Sequence, residues 1–259
     1  MAKRQDRINQ LLDILRLKKR LTADEVSSQL GISDSSTRRL FLDLEQSGQA
    51  VRILGGIQSV EPDSLDYSFD VLQKSHYAEK REIAELASQL IGNRDVIYLD
   101  SGTTVLQLAI AIKNRIGLQQ INQLRVLTNS FANMQILNEV CEVVLIGGIY
   151  RPMRKDFAGY ATEQFLKTFY YKKAFLGGDG FDFAQGFMGT DMETSRLNEV
   201  VIGQSEQNFA LLDSSKIGRR SFTCYADISD IDMLITDRGI TVDNEMRCSQ
   251  AGLKVLKPA

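Results

Sequence analysis

Six times between residues 94 and 237, a short and mostly apolar run ends in a small polar loop. Val96–Leu99 leads into Asp100, Ser101, Gly102, Thr103 and Thr104; Leu124–Leu127 into Thr128, Asn129 and Ser130; Val143–Ile146 into Gly147 and Gly148. Ala174–Leu176 leads into Gly177, Gly178, Asp179 and Gly180; Phe209–Leu212 into Asp213, Ser214, Ser215 and Lys216; Met233–Ile235 into Thr236 and Asp237. Runs this short, apolar without strict alternation, read as strands buried on both faces. Between them the spacing predicts helices from Val105 and over Phe131–Val140. Strands alternating with helices restrict this part of the chain to an α/β fold built on a mostly parallel sheet. In such a sheet the loops that follow the strands collect at one end, where ligands bind.

The residue types in those loops suit an anion. Ser101-Gly102-Thr103-Thr104 precedes a helix, whose free N–H groups and dipole favour negative charge. Gly102 lets the backbone approach a ligand, the hydroxyls add donors, and Lys216 adds a point charge. Asp100, Asp179, Asp191 and Glu193, beside Gly180, are expected to accept bonds from sugar hydroxyls. Thr128, Asn129, Ser130, Gly147 and Gly148 complete the expected lining. In any one loop such residues are simply what turns and helix caps require. Six loops together favour a polyol-phosphate pocket. It is not a P-loop, because no Gly-Lys-Ser/Thr follows the glycine.

Residues 1–60 have a different character. Ile8, Leu11, Leu12 and Leu15 form one apolar stripe on a helical period. Thr22 and Glu25 form a capping box, Val26 and Leu30 face a core, and Gly31 ends that second helix. Ser33 caps a third helix with Thr37, Leu40, Phe41 and Leu44 on its buried side, and Gly48 stops it. Ala50–Leu54 and Ile57–Val60 flank Gly55-Gly56 as a β-hairpin. Together these elements predict a winged helix-turn-helix, with the helix-turn-helix over about residues 20–47, which places a helix in the major groove of DNA. Ser33, Asp34, Ser35, Ser36, Thr37, Arg38 and Arg39 are the candidate DNA contacts on the third helix, with Arg52 on the wing. Arginine suits bidentate contact with guanine.

Charge follows the same division. Residues 1–57 hold 10 Lys/Arg against 7 Asp/Glu, a net +3, and the remainder nets −5 within a total of −2. A modestly basic head on an acidic body fits a DNA reader carried by a domain that does not touch DNA. With so small a positive charge, useful affinity calls for two heads on two half-sites. Residues 61–77 read as a surface-lying linker, and 78–259 as the second domain, opening with an amphipathic helix over Tyr77–Ile91. No apolar run approaches a membrane span, so the expected location is cytoplasmic, without a membrane partner. Cys141, Cys224 and Cys248 lack metal-site spacing and read as reduced thiols. No metal, cofactor or catalytic residue is expected, and the single histidine, His76, falls in the linker.

With these residues in view, the chain resembles the DeoR family of bacterial transcriptional regulators over nearly its whole length. The matching pieces are Ile32-Ser33 with Arg38-Arg39, Gly55-Gly56, Leu99 through Thr104, Thr128-Asn129-Ser130, Gly147-Gly148, Phe175 through Gly180, Asp213 through Lys216, and Ile235 through Asp237. The resemblance implies a winged helix-turn-helix joined to a sensor domain that binds a phosphorylated sugar. It implies an oligomeric repressor of sugar-catabolism genes, a dimer or tetramer, whose partners are an operator in double-stranded DNA and a sugar-phosphate effector. Ser36-Thr37 and Leu40-Phe41 depart from the family's Thr-Ile and Asp-Leu, and Ile53-Leu54 replaces a basic residue and a histidine. The sensor in turn looks like ribose-5-phosphate isomerase, with a fold of the isomerase and CoA-transferase kind. Asp179-Gly180-Phe181-Asp182 matches its Asp-x-x-Asp, and Asp213 through Lys216 its Asp-x-Ser-Lys. The isomerase lysine expected near residues 186–190 is missing. The alternative reading is therefore an isomerase-like enzyme carrying a nucleic-acid-binding head.

Overall fold

The computed structural model describes residues 7–8, 10–12, 14–15, 18, 20–46, 50–59 and 67–259. The chain divides into two compact units, Met1–Tyr77 and Ala78–Ala259.

In the first unit the described residues between 7 and 18 form helix α1. There follow β1 (Arg20–Thr22), α2 (Ala23–Leu30), α3 (Asp34–Gln46), β2 (Ala50–Ile53), β3 (Gly56–Ser59) and a short α4 (Phe69–Leu72). Leu11, Leu15, Leu21, Val26, Leu40, Phe41, Leu44, Ala50 and Ile57 make one buried cluster. The capping box is present: the Glu25 N–H donates to Thr22 Oγ1 at 3.2 Å and the Thr22 N–H to Glu25 Oε2 at 2.8 Å. Gly31, at φ +58°, takes the left-handed conformation that closes α2. The sheet has three strands, not the two of a simple wing, because β1 pairs antiparallel with β3 and β3 with β2. That pairing explains the glycine pair. Gly55 turns the hairpin at φ +78°, and a Cβ on Gly56 would lie 2.2 Å from the Leu21 carbonyl oxygen. Gly48, Val60 and residues 61–66 of the expected linker lie outside the described residues. The rest of that linker is not irregular throughout, since α4 forms around the buried Phe69.

The second unit runs α5 (Tyr77–Gln89), β4 (Val96–Leu99), α6 (Thr103–Gly117), β5 (Arg125–Thr128), α7 (Phe131–Leu137), β6 (Glu142–Leu145), β7 (Ile149–Arg151), β8 (Asp156–Ala158) and α8 (Tyr160–Leu166). It continues with β9 (Lys173–Leu176), β10 (Gly180–Asp182), β11 (Gly186–Gly189), α9 (Met192–Gly203), β12 (Asn208–Leu211), β13 (Thr223–Ala226), β14 (Met233–Ile235), α10 (Val242–Gln250) and β15 (Lys254–Leu256). Seven strands form one sheet in the order β15-β14-β12-β9-β4-β5-β6, and every pair in it is parallel.

Successive side chains of a strand point to opposite faces, and the two cores separate accordingly. Ile97, Leu99, Val126, Phe175, Phe209 and Leu211 lie under α5, α6 and α7, with Ile83, Ala87, Val105, Leu108 and Ile112. Tyr98, Leu127, Ala174, Leu176, Ala210 and Leu212 join Leu166, Leu197, Val201 and Cys248 on the other face. A smaller antiparallel sheet, β10-β11-β13, adds Phe181, Phe187 and Tyr225 to that second core. The hairpin β7–β8, the small sheet and the edge strand β15 go beyond the expected strand set.

Candidate functional site

In the first unit α3 presents Asp34, Ser35, Arg38 and Arg39 to solvent, with Ser33 exposed just before it. Ser33 serves the helix start: its hydroxyl lies 3.0 Å from that of Ser35 and 3.1 Å from that of Ser36. Among the described residues no carboxylate pairs with Arg38 or Arg39, so both guanidinium groups stay available. Thr37 corrects the expectation that it contacts DNA. It is fully buried, because it shares the stripe of Leu40, Phe41 and Leu44 that packs α3 down. Leu40 is buried as well, so its departure from the family pattern falls on the packing side of the helix. Arg52 is exposed on β2, 3.9 Å from Glu45 at the end of α3, which partly neutralises it.

In the second unit the parallel sheet brings the loops after β4, β5, β6, β9, β12 and β14 to one end. From β4 the chain goes on to β5 and β6 on one side and later returns to lay β9 on the other. The crevice of such a sheet lies at this reversal, and the two loops flanking it are Asp100–Thr104 and Gly177–Asp179. They are tied together: Asp100 Oδ2 accepts the Gly177 N–H at 3.0 Å and Oδ1 the Ser101 N–H at 2.6 Å. Burial pushes the Asp100 carboxyl up to about 6 despite these two bonds.

Helix α6 begins here without a side-chain cap and without an acidic residue in its first turn. Its opening N–H groups have no partner within the helix. By contrast α7 is capped by Ser130, α9 by Asp191 and α10 by Thr241. A Cβ on Gly102 would meet nothing nearer than 3.7 Å. Packing therefore does not demand a glycine at that cap. Lys216 points back across the cluster, donating to the Gly178 carbonyl oxygen at 2.6 Å and standing 3.9 Å from Asp213 Oδ2.

Several expected ligand contacts are engaged in holding this frame. Thr128, Asn129 and Ser130 are fully buried. Thr128 Oγ1 donates to the Leu99 carbonyl oxygen, and Asn129 bridges the Tyr98 hydroxyl and the Phe157 carbonyl oxygen. Gly147 is exposed, whereas a Cβ on Gly148 would lie 1.9 Å from Thr162 Oγ1, so that glycine serves packing. Asp179 accepts both the N–H and the hydroxyl of Thr190 at 2.9 Å. Gly180 is buried against the backbone of Arg219. Asp191 and Glu193 pair with Arg151. Burial works against the charge of Asp191, but Arg151 and Arg154 outweigh it and hold the carboxyl below its usual range.

Three residues of this end escaped the sequence reading. Arg151 grips Asp156 through Nε and Nη2 at 2.8 and 2.7 Å, and Ser101 Oγ donates to the same carboxylate at 2.9 Å. Lys80, on α5, is only 3 % exposed. Burial first, and then the like charge of Lys216, lower its ammonium to about 7. Lys80 had a legible signal: it sits three, four and seven residues before Ile83, Ala84 and Ala87, a lysine on an apolar stripe. Arg151 and Asp156 had none, since their partnership depends on a hairpin that spacing does not reveal. Among the described residues no cluster of His, Cys, Asp or Glu could hold a metal ion, and no helix is long and apolar enough to cross a membrane.

Comparison with known proteins agrees with both units. The model of the DeoR-like helix-turn-helix domain matches residues 7–63, and that of the DeoR C-terminal sensor domain matches residues 75–238. A lactose phosphotransferase system repressor of Lactococcus lactis subsp. lactis is 30% identical over 247 residues, covering 94% of this chain and 95% of that protein. The HTH-type transcriptional regulator GlpR of Haloferax volcanii is 26% identical over 238 residues, covering 91% of this chain and 90% of that protein. Among solved structures, ribose 5-phosphate isomerase A of Methanocaldococcus jannaschii aligns with a TM-score of 0.42 and 18% identity over 55% of each chain. A structural likeness of that size says nothing about activity. The two domain matches, one over the head and one over most of the second unit, make this chain a DNA-binding transcriptional regulator of the DeoR family.

Proposed function

We propose that this protein represses sugar-catabolism genes and that a phosphorylated sugar, bound where β4 and β9 part, modulates its hold on DNA. The observation that carries the reading is the start of α6: an uncapped helix N-terminus at Gly102, facing a strand-end cluster that includes Lys216 and Lys80. A phosphate there would meet free N–H donors and two ammonium groups, while the sugar would extend toward Asp179 and Gly147. The names of the relatives support the gene class, since lactose phosphotransferase system repressors are among them. Ligand must bind the DNA-competent and DNA-incompetent forms with unequal affinity, because equal affinity shifts nothing.

Thr103→Asp tests the pocket. A first-turn aspartate suits the helix dipole by ~0.3–1 kcal/mol, so the variant is expected to melt at or above the parent without ligand. The fixed carboxylate would occupy the phosphate position, so pentose and hexose phosphates should no longer raise its melting temperature. A ligand-induced rise equal to the parent's would place the pocket elsewhere.

The reading also calls for two heads, and the second unit offers a face for pairing. Ile149, Tyr150 and Met153 on the β7–β8 hairpin are exposed, as are Tyr160 at the start of α8 and Met192 at the start of α9. Tyr160→Glu is expected to sediment as a monomer where the parent is a dimer or larger; an unchanged oligomer would exclude this face.

The isomerase alternative needs carboxylates free for proton transfer. Asp182 instead accepts the N–H groups of Ala184 and Gln185 in the β10–β11 turn and pairs with Arg220. Binding without turnover is the better match. Steady isomerisation of ribose 5-phosphate by the pure protein would reverse that ranking.

A further inference from the structure

Lys80 stands out because the fold buries it and the helix does not need it. Its stripe on α5 is otherwise Ile83, Ala84, Ala87 and the small Ser88, and a methionine would fill the space at no electrostatic cost. Instead an amine sits within the field of the strand-end loops. The charge of Lys216 disfavours its ammonium form, and those of Asp213, Glu79 and Asp179 favour it. The other titratable groups of this cluster are Asp100 and Asp156, with the buried hydroxyls of Tyr98 and Tyr225. Lys216, held on the Gly178 carbonyl oxygen, keeps its positive charge close by at all times. Two ammonium groups in one poorly solvated cluster are mutually unfavourable until an anion joins them.

A phosphomonoester dianion seated at the start of α6 reverses that balance. Its charge makes the ammonium form of Lys80 the favoured one, and the proton comes from buffer, converting –NH2 to –NH3+. We propose that Lys80 is an anion-binding residue of this pocket that takes up one proton as a phosphomonoester dianion binds. This rests on the reading of the pocket as a sugar-phosphate site. The consequence is selectivity: an uncharged sugar cannot recruit the second cation, so the pocket discriminates by charge before it reads hydroxyl stereochemistry.

Sulfate is the suitable probe, because it stays divalent throughout the working range whereas phosphate titrates. Titration calorimetry of the full chain with sodium sulfate, in two buffers of different ionisation heat, counts the protons. About one proton per sulfate should be taken up at pH 8 and almost none at pH 6, and by linkage affinity should fall about tenfold per pH unit above neutrality. Lys80→Met should bind sulfate at least about tenfold more weakly at pH 6 and show no uptake at pH 8. Lys80→Arg, cationic at every pH used, should bind without uptake, and Asp100→Asn should keep the parent's proton count. Binding by the parent with no proton uptake overturns the proposal and leaves the pocket intact. Uptake that survives in Lys80→Met but vanishes in Asp100→Asn assigns the proton to Asp100 and also overturns it. If the parent binds neither sulfate nor ribose 5-phosphate, the sugar-phosphate reading itself falls, and this inference with it.

Discussion

Replacing Arg38 and Arg39 together by alanine is expected to weaken specific DNA binding at least about 100-fold, since each bidentate arginine contact with a base is worth ~1–3 kcal/mol. The measurement is a gel shift on a genomic fragment selected by the parent protein. The loss should be confined to recognition. Both side chains are exposed on α3, while the residues that pack the helix, Thr37, Leu40, Phe41 and Leu44, remain in place. Exposed substitutions of this kind usually move stability by less than about 0.5 kcal/mol. The second unit should therefore melt and respond to sugar phosphates as in the parent. The salt dependence of any residual binding should also become shallower, because fewer phosphate counterions are released. If the double variant binds the fragment as the parent does, α3 is not the reading helix.

The second large effect concerns Arg151. Its guanidinium makes two bonds to Asp156, which is 0 % exposed, and one to Asp191. Burial opposes the guanidinium charge, yet the bonds and charges of Asp156 and Asp191 raise its pKa above the ordinary arginine value. Arg151→Met leaves the Asp156 carboxylate buried without its cation. Breaking a buried pair from one side costs roughly 3–5 kcal/mol. For a unit of this size that corresponds to a fall of roughly 10 °C in its melting transition. Adding Asp156→Asn to Arg151→Met removes the stranded charge and should recover much of the loss, a coupling that only interacting residues show. Because Ser101 donates to the same carboxylate, the single variant should also lose ligand response by displacing the 100–104 loop. A cost below about 1 kcal/mol would mean that Asp156 finds another way to be satisfied.

Much of this molecule could be read before it was seen. β4 and β14 lie on the apolar runs expected of them, and β5, β6, β9 and β12 within one residue. Strands buried on both faces need continuous apolar side chains, a strong local signal. The caps at Thr22 and Gly31 were equally legible, because a capping box and a left-handed residue are satisfied within four or five positions of chain. The departures have a common cause. β1 completes the small sheet by pairing with β3, more than thirty residues away; β15 joins the large sheet only through β14. A three-residue strand has too little pattern to announce itself, and its partner is chosen by the fold.

The same distinction applies to the two functional surfaces. Local sequence determined that a capped helix pair carries exposed arginines, and that glycine, serine and aspartate follow each apolar strand, because turns, caps and amphipathic faces are set by neighbours along the chain. Only the tertiary structure decided which loops meet. Reversal of strand order beside β4 brings Asp100 against Gly177, closes Arg151 over Asp156, and buries Lys80 in the field of Lys216. These are through-space juxtapositions of residues far apart in sequence, and their energies, chiefly desolvation and Coulomb attraction, exist only once water has been excluded between them.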